Sequence, residues 1–577
     1  MAEPLLVGNC SGFYGDRLSA MREMLEGGPL DVLTGDYLAE LTMLILGKDT
    51  LKDPSLGYAR TFVRQAEDCL GLALERGVRL VANAGGLNPA GLADRLREVA
   101  TGLGLDPAVA HVEGDDLRGL AREIGLSDDA LTANAYLGGF GVAAALQAGA
   151  DVVVTGRVTD ASLVVGPAAA HHDWKPEQYD ELAGAVVAGH VLECGTQATG
   201  GNFSGFASLP EEARSRPLGF PLAEVAADGS SVVTKHDGTG GAVTVDTVTA
   251  QLMYEIQSTR YLGPDVTVDL ATIELAQAGP DRVAVRGVRG SPPPDRLKVG
   301  VNELGGHRNA VELVLTGLDV EAKADWVRRQ LTAALDPVPA TVAWSTVTAP
   351  AADADTEEAA STLLRCSVQD PSADVVGRRF TAAAVELALA SYPGFTLTAP
   401  PGPATPFGVH RSEYVERDVV THTVVHADGR HEVVPDPPTA LQPADDRTGT
   451  RPSPYPHPTD TLTRRVPLGT FVHARSGDKG GDANLGLWVT HDDPERRPAR
   501  VAWLSKLITP KKVRELVPEA ADLDVDVFLL PNLGGVNVVL HGLLGRGVAA
   551  STRFDAQAKG LGEWVRSRLV SIEEGLL

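Results

Sequence analysis

Cysteine is scarce in this chain of 577 residues. The four that occur are Cys10, Cys69, Cys194 and Cys366, and no two of them form a CxxC pair. Neither a disulfide framework nor a cysteine-rich zinc site is therefore predicted. Scattered, reduced thiols are typical of cytoplasmic proteins, and we expect that location here.

Basic residues are also in deficit. The chain has 51 Lys and Arg against 76 Asp and Glu, which gives a formal net charge of -25. A surface field of this sign repels nucleic acids and anionic lipid head groups, so neither is expected as a partner. An anionic small molecule such as an acyl-CoA would have to be held by local Arg, Lys and backbone N–H groups.

Long uninterrupted apolar runs are absent from the sequence. The most apolar stretch, AYLGGFGVAAALQAGADVVVTG, is broken by Gln147 and Asp151 and predicts a buried helix followed by a strand. The first residues, MAEPLLVGNCSG, lack the basic segment and the apolar length of a signal peptide. We therefore expect a protein without a membrane partner.

Short apolar strands alternate with helical patterns over residues 1–165. Strands are predicted at 5–8, 31–34, 78–83, 109–112 and 151–155. Runs such as RLVAN and DVVVTG do not alternate polar with apolar residues, which is typical of a parallel sheet covered on both faces. The pattern predicts an α/β core over residues 1–434, in which a β-α-β-β-α run at 270–400 suggests a ferredoxin-like subdomain.

A segment rich in Pro, Asp and Thr at 435–465 has no periodicity and is interpreted as a linker. Residues 466–577 predict a small α+β domain that folds as a separate unit. Two strands are expected in VPLGTFVHARSGDKGGDANLGLWVTHD, joined by a Gly/Asp loop. The remaining predicted elements are a helix at 505–516, strands at 525–530 and 536–540, and a helix at 556–569.

Polar loops follow the predicted parallel strands and should meet at one edge of the sheet, where ligands bind in such folds. The candidates there for ligand contact or catalysis are Gly12, Asp16, Arg17, Asn83, Gly85, Gly86, Arg157 and Asp160. The first of these loops, GNCSGFYG, lacks the GxGxxG spacing of dinucleotide sites, so a tight strand-to-helix turn is the alternative.

Several carboxylates follow predicted strands. They are Asp16, Asp36, Glu40, Asp115, Asp116 and Asp160. Converging carboxylates would support acid–base chemistry or a divalent cation. The alternative, which we favour for most of them, is that each caps the helix that follows.

The segment GHVLECG combines a base, an acid and a thiol. On a helix His190 and Glu193 share a face and could act as a proton-transferring pair, or less readily as metal ligands. Cys194 could be a nucleophile if His190 lowered its pKa, and a simply buried cysteine is the alternative. We take all three as candidate catalytic residues, together with Asp16 and Asp160.

The segment RSGDKGGDANLGL is too polar for a core and is interpreted as a loop. Arg475, Asp478 and Lys479 are candidates for binding a phosphate or carboxylate, and an exposed hairpin tip with internally paired charges is the alternative.

Several sequence blocks occur in an order found in a known family. They include GNCSGFYGDR, LTGDYLAELTM, VANAGGLNP, GADVVVTGRVTDASL, GHVLECGTQATGGNF and QLMYEI, followed by RSGDKGGDANLGL and PNLGGVN. On these blocks the chain resembles the acyclic-terpene-utilisation (AtuA) family over nearly its whole length. Residues 466–577 resemble that family's C-terminal ferredoxin-fold domain.

The resemblance implies a role in the bacterial breakdown of branched or terpenoid carboxylic acids, or of their CoA thioesters. A lyase or hydratase using acid–base carboxylates is the expected enzyme. The alternatives are a non-catalytic subunit that binds acyl-CoA or a partner enzyme, and a thioester hydrolase using Cys194 or Ser476. CoA is expected only as part of the substrate, and the use of a divalent metal and self-association into a homo-oligomer are left open.

Overall fold

The computed structural model describes residues 3–127, 129–347, 349–443 and 462–577. Most of the predicted linker, at 444–461, lies outside the described residues. The chain divides into two compact units. The first unit comprises Met1–Asn302, His410–Val548 and Gln557–Leu577, and the second unit comprises Glu303–Val409 and Ala549–Ala556.

The N-terminal part of the first unit alternates strands and helices, as the α/β prediction requires. Its elements are β1 (Leu5–Asn9), α1 (Ala20–Gly27), β2 (Val32–Gly35), α2 (Glu40–Lys52), α3 (Arg60–Glu75), β3 (Arg79–Ala82), α4 (Pro89–Leu103), β4 (Val109–Glu113), β5 (Thr132–Ala135), α5 (Phe140–Gln147), β6 (Val152–Thr155), α6 (Ser162–His172) and α7 (Tyr179–Leu192). The five strands predicted from the sequence are all present, with small shifts at their ends.

The elements that follow include four strands that extend the same sheet in antiparallel fashion, three that form a small separate sheet, and one that belongs to a further sheet. They are α8 (Glu211–Arg214), β7 (Pro221–Val225), β8 (Ser231–Lys235), α9 (Val245–Leu252), β9 (Arg260–Leu262), β10 (Thr267–Asp269), β11 (Glu274–Gly279), β12 (Arg282–Arg286), β13 (Arg289–Ser291) and β14 (Arg296–Thr316). The strand order is β11-β12-β8-β7-β1-β2-β3-β6-β4, and β1, β2, β3, β6 and β4 run parallel. The carboxyl ends of these five strands therefore share one edge of the sheet.

The second unit contains the β-α-β-β-α run expected from the sequence. β14 continues into it and is followed by α10 (Val320–Ala334), β15 (Thr341–Thr346), β16 (Ser361–Asp370), α11 (Phe380–Val385), β17 (Thr396–Leu397) and β18 (Thr405–Glu416). β16 pairs antiparallel with both β14 and β15, and the helices cover the sheet with a core that includes Leu313, Val327 and Phe380. The unit begins at Glu303, whereas the predicted subdomain began at residue 270.

After β19 (Thr423–Val425) and β20 (His431–Val433), which extend the large sheet beyond β4, the chain builds an α+β domain. Its elements are β21 (Thr463–Pro467), β22 (Val472–Lys479), β23 (Asp482–Val489), α12 (Arg497–Leu507), α13 (Pro510–Leu516), β24 (Val525–Leu530), β25 (Gly535–Leu540), α14 (Leu561–Ser567) and β26 (Leu569–Glu573). The mixed α/β fold with a small C-terminal α+β domain is thus confirmed.

Two details of the C-terminal prediction are wrong. The expected helix at 505–516 is two helices, because Thr509 adopts an extended backbone and caps a new helix that starts at Pro510. RSGDK is not a loop but part of β22, and only Gly480 and Gly481 turn between β22 and β23. Its polar residues had suggested exposure, yet Arg475 and Asp478 are buried.

The C-terminal domain belongs to the first unit and packs on its N-terminal part. One face of the sheet β22-β23-β25-β24 carries Leu485, Val536 and Val538 into a core beneath α12 and α14. The other face meets the N-terminal part, where Trp488 Nε1 donates to Asp246 Oδ1 at 3.1 Å. Among the described residues, no helix combines the length and apolarity needed to cross a bilayer.

Candidate functional site

The loops after β2 and β3 are tied together by hydrogen bonds at the carboxyl edge of the sheet. Asn83 Nδ2 donates to Asp36 Oδ1 at 2.6 Å, and the Tyr37 amide donates to Asn83 Oδ1 at 2.7 Å. The Gly85 amide donates to the Thr155 carbonyl at 2.9 Å, which brings in the loop after β6. Burial, with Asp160 nearby, raises the pKa of the Asp36 carboxyl well above its usual range.

Arg157, in the loop after β6, joins the polar cluster formed by Asp36 and Asn83. Its Nη1 lies 3.0 Å from Asp160 Oδ1 and donates to the Leu38 carbonyl at 3.0 Å, while the guanidinium lies over the Tyr136 ring. The side chain is buried, so the Asp160 carboxylate supplies the opposite charge that a buried guanidinium requires. The structure thus brings Asn83, Arg157 and Asp160 together, with Gly85 and Gly86 on the turn beside them.

The expectation that most of the strand-end carboxylates cap helices is wrong. The N-cap positions of α1, α2 and α6 are Ser19, Ala39 and Ala161. Asp36 accepts from a side-chain amide and Asp160 pairs with a guanidinium, so both face the cluster rather than a helix end.

The loop after β1 reaches the cluster from the other side. The Gly12 amide donates to Asp16 Oδ2 at 3.0 Å, and a Cβ at Gly195 would lie 3.6 Å from the same oxygen. Arg17, in contrast, pairs with Glu23 and lies over the Phe220 ring. Asp16 and Gly12 therefore adjoin the 194–195 segment, and Arg17 is directed to a structural contact.

Gly12 permits the close approach of these two segments. A Cβ at this position would lie 2.7 Å from the carbonyl carbon of Cys194, which is backbone and cannot rotate away. We expect Gly12→Ala to force the loop from Cys194 and lower the melting temperature by several degrees, because overpacking costs roughly 1–3 kcal/mol. Thermal unfolding measures this, with Gly119→Ala as the control because nothing lies near a Cβ there. Equal melting temperatures for the two variants would contradict the prediction.

His190 and Glu193 form a buried pair where α7 ends. His190 Nδ1 lies 3.0 Å from Glu193 Oε1, and the His190 ring packs 5.0 Å from the Tyr261 ring. Asn9, at the end of β1, holds this helix end by donating to the Leu192 and Glu193 carbonyls. The other polar atoms of the pair, His190 Nε2 and Glu193 Oε2, are buried without a hydrogen-bond partner among the described residues. Such atoms are costly unless a ligand or water completes them.

Burial raises the pKa of Glu193, while His190 opposes this shift and the charges of Asp160 and Glu255 reinforce it. A raised pKa makes the ionised carboxylate a stronger base, which favours its use in general acid–base catalysis. The arrangement is thus suited to moving one proton at Glu193 Oε2, with His190 fixing the orientation of the carboxyl.

Neither candidate nucleophile is activated. Burial and the neighbouring Glu193 and Glu255 raise the pKa of the Cys194 thiol well above its usual range, so the thiolate is disfavoured. The Ser476 hydroxyl donates to the Ala558 carbonyl at 2.6 Å and accepts from the Gly562 amide at 2.8 Å. It secures the start of α14 and is buried.

The C-terminal domain contributes charged residues to the same site. Lys479 Nζ lies 4.0 Å from Glu255 Oε2, and Arg475 lies over the Tyr254 ring while donating to the Asn202 carbonyl at 3.1 Å. Burial, followed by the charges of Glu255 and Glu40, raises the pKa of Asp478 to about 7. Arg475, Asp478 and Lys479 therefore lie beside the residues that follow α9.

Three residues of this site were missed by the sequence reasoning. Glu255 and Tyr261 lie in a region without clear periodicity, although Glu255 belongs to the QLMYEI block, which was a signal for the family only. Lys559 stands in a polar segment before α14 and lies 3.9 Å from Asp478 Oδ1. Its contribution depends on long-range contacts that no local pattern reveals.

A small cavity adjoins the cluster. It measures about 10 Å³, close to the size of one water molecule, and is lined in part by Glu40, Arg157 and His410. A larger cavity of about 460 Å³ lies elsewhere in the first unit, against Asp228 and Arg286. Within the described part of the chain, no group of three or more His, Cys, Asp or Glu side chains is arranged to hold a metal ion.

Two models of known protein families match this chain. A family model described as acyclic terpene utilisation family protein AtuA matches residues 5–426, and one described as AtuA ferredoxin-like domain matches residues 466–571. A search of curated proteins finds no match. Because the first match alone spans well over half of the sequence, the chain belongs to the acyclic terpene utilisation family AtuA, with that family's ferredoxin-like domain at its C-terminal end.

Proposed function

We propose that this protein is an enzyme acting on a branched or terpenoid carboxylic acid or its CoA thioester, as a lyase or hydratase in which Glu193 transfers a proton. The observation that carries the proposal is the buried, unpartnered Oε2 of Glu193, whose other oxygen is held by His190. Family membership implies a role in terpene utilisation, and the reaction type is argued from the site alone.

The cations around Glu193 support an anionic substrate. The charge of Asp160 acts on Glu193, Lys479 and Arg157, and Arg475 donates to Gln197, four residues after Glu193. An acyl thioester that loses or gains a proton at its α-carbon passes through an enolate-like state with negative charge on the carbonyl oxygen. A fixed ammonium or guanidinium in a water-poor site stabilises that charge strongly.

A hydratase needs one group that accepts a proton and one that donates a proton, and Glu193 and Asp478 are suited to these two roles. In the hydration direction, Glu193 accepts a proton from a water molecule while the oxygen of that water bonds to the β-carbon of the substrate. The electron pair of the double bond then moves to the α-carbon. A second acid then protonates the α-carbon, and Asp478, with its pKa of about 7, is suited to this role. Dehydration follows the reverse path with the roles exchanged.

The hydrolase alternative is less well supported, because Cys194 is held as a thiol and Ser476 is engaged in backbone contacts. We further propose that the ligand is a small molecule, with CoA as part of it, and that the protein acts in the cytoplasm. Self-association is left to measurement of the mass in solution.

Incubation of the purified protein with branched 2-enoyl-CoAs, 3-hydroxyacyl-CoAs and the matching free acids tests the proposal. We expect mass spectrometry to detect a product that differs from its substrate by one water, or two products from cleavage of a carbon–carbon bond. A covalent acyl adduct on the protein would favour the hydrolase. Retention of an acyl-CoA without any change would favour a binding subunit, and either result would overturn the proposal.

A further inference from the structure

The segment 253–256, just after α9, lies directly across the polar face of the C-terminal sheet. A Cβ at Gly477 would overlap the Tyr254 ring, and one at Gly486 would lie 2.5 Å from the Met253 carbonyl oxygen. Glycine on β22 and on β23 therefore lets this segment approach the sheet more closely than any other residue would allow.

Two buried asparagines of the sheet form hydrogen bonds with the backbone of the segment. Asn484 Oδ1 accepts from the Glu255 amide at 2.8 Å, and Asn537 Nδ2 donates to the Ile256 carbonyl at 3.0 Å. Asn484 Nδ2 also donates to Asn537 Oδ1, so each amide orients the other. Such a fully connected polar network fixes geometry, because leaving any of its buried groups unpaired is costly.

The residue held by this network has an unusual backbone. Glu255 adopts φ +57°, in the left-handed region that residues with a Cβ disfavour. Conformations of this kind persist only where the surroundings determine them, and they cluster at functional sites. Here the conformation places a carboxylate, about a quarter exposed, 4.0 Å from Lys479 Nζ at the end of β22.

We propose that Glu255 is a further residue of the site and that it holds Lys479 in position to bind the carbonyl or carboxylate of the substrate. The Asn484–Asn537 pair in turn positions Glu255. The proposal deepens the proposed function and rests on it for the identity of the ligand. It also gives the ferredoxin-like domain a part in the site, since Lys479, Asn484 and Asn537 all belong to it.

The electrostatics agree with this geometry. Burial lowers the pKa of the Lys479 ammonium, but Glu255 and Tyr261 outweigh it, so that the pKa lies above its usual range. The ammonium therefore stays charged, as a group that binds a developing oxyanion must. Removing the Glu255 charge takes away the largest of the contributions that keep it so.

Amine labelling tests the positioning without any substrate. The protein is treated with an amine-reactive ester over a pH series, and mass spectrometry follows Lys479, with the exposed Lys511 as an internal reference. We expect Glu255→Gln to increase the labelling rate of Lys479 several-fold, because loss of the neighbouring negative charge lowers the pKa of the ammonium and frees more amine. An unchanged rate would overturn the proposal.

Asn484→Ala should raise the labelling of Lys479 in the same direction, because Glu255 is then no longer held. The matched control is Asn532→Ala, since Asn532 also hydrogen-bonds to the backbone of the N-terminal part, where it donates to the Leu270 and Ile273 carbonyls, but does not touch Glu255. Both variants lose an asparagine amide that hydrogen-bonds to the backbone of the N-terminal part, so both are expected to lower the melting temperature. An equal effect of both on Lys479 would show general loosening and contradict the positioning role.

Once a substrate is identified, Glu255→Gln should raise KM about tenfold and change kcat less. A loss of kcat alone would contradict a binding role for the Glu255–Lys479 pair. If the protein turns over no acyl-CoA, the proposed function fails, but the labelling result still decides whether Glu255 holds Lys479. The two failures are thus distinguishable.

Discussion

Glu193→Gln is expected to lower turnover about 100-fold or more while leaving the melting temperature unchanged. General acid–base catalysis by a positioned side chain contributes about 10²–10⁴-fold, and an amide cannot accept or release the proton. The substitution keeps the size and shape of the side chain, and its carbonyl oxygen can keep the contact with His190 Nδ1. Because the carboxyl is already forced toward its neutral form by burial, a neutral amide does not disturb the fold.

The measurement is turnover per folded molecule, together with thermal unfolding. Glu563→Gln is the matched control, because Glu563 forms a pair with Arg566 at the same three-residue spacing but on the surface. Surface pairs contribute little, so the control should retain both activity and melting temperature.

If the His190–Glu193 pair is instead a structural ion pair, Glu193→Gln should lower the melting temperature and spare turnover. Unchanged values of both quantities would remove Glu193 from the site altogether. In the first outcome only turnover falls, in the second only the melting temperature falls, and in the third neither changes. A single pair of measurements therefore separates them.

The N-terminal half of the site could be predicted from the sequence because it depends on local patterns. Short apolar strands, each followed by a polar loop, predict a parallel sheet, and a parallel sheet gathers its loops at one edge. The structure places Asn83, Arg157 and Asp160 together for this reason. His190 and Glu193 meet because one turn of helix separates them.

The C-terminal half could not be predicted in the same way. β22 looked like a loop because Arg475, Asp478 and Lys479 are too polar for a strand in a closed core. Side chains alternate along a strand, however, and the face that carries Arg475 and Lys479 packs on another part of the first unit. A pattern confined to one segment does not reveal which surface that segment will cover.

Glu255 illustrates the limit of sequence reasoning. Its role depends on Asn484 and Asn537, which lie far along the chain, and on a left-handed backbone that glycine would normally signal. A glutamate in an irregular segment carries no such signal. The same holds for the unit boundaries, because residues 270–302 match the β-rich pattern of the second unit but pack with the first.

Asp115 is expected to make the stability of the protein depend on pH. Asp115 lies two residues after the end of β4 and is buried, and its Oδ2 accepts from the Arg157 amide at 2.7 Å and from Asn134 Nδ2 at 2.8 Å. Burial raises its pKa to about 7, and the hydrogen bonds oppose that shift without cancelling it. Asp115 therefore supports the backbone of Arg157 in the site while remaining protonated under mildly acidic conditions.

The sign of the effect follows from proton binding. In the unfolded chain the pKa of an aspartate is about 3.9, so between about pH 4 and pH 7 only the folded protein keeps the proton on Asp115. The contribution to the free energy of unfolding is therefore complete below about pH 4 and is lost as the pH rises through 7. With three units of difference, the loss amounts to roughly 4 kcal/mol.

Asp115→Asn should remove this dependence. The amide is neutral at every pH, its carbonyl oxygen can accept the same two hydrogen bonds, and its N–H group can donate to Asn134 Oδ1, which is buried without a partner among the described residues. We expect urea unfolding to give similar stabilities for variant and wild type near pH 4, and a variant more stable by roughly 4 kcal/mol near pH 8. The control is Asp116→Asn, at the neighbouring position, where the carboxylate is a third exposed and pairs with Arg118. Parallel stability curves for Asp115→Asn and the wild type would show that the Asp115 carboxyl ionises in the folded protein at its ordinary pKa.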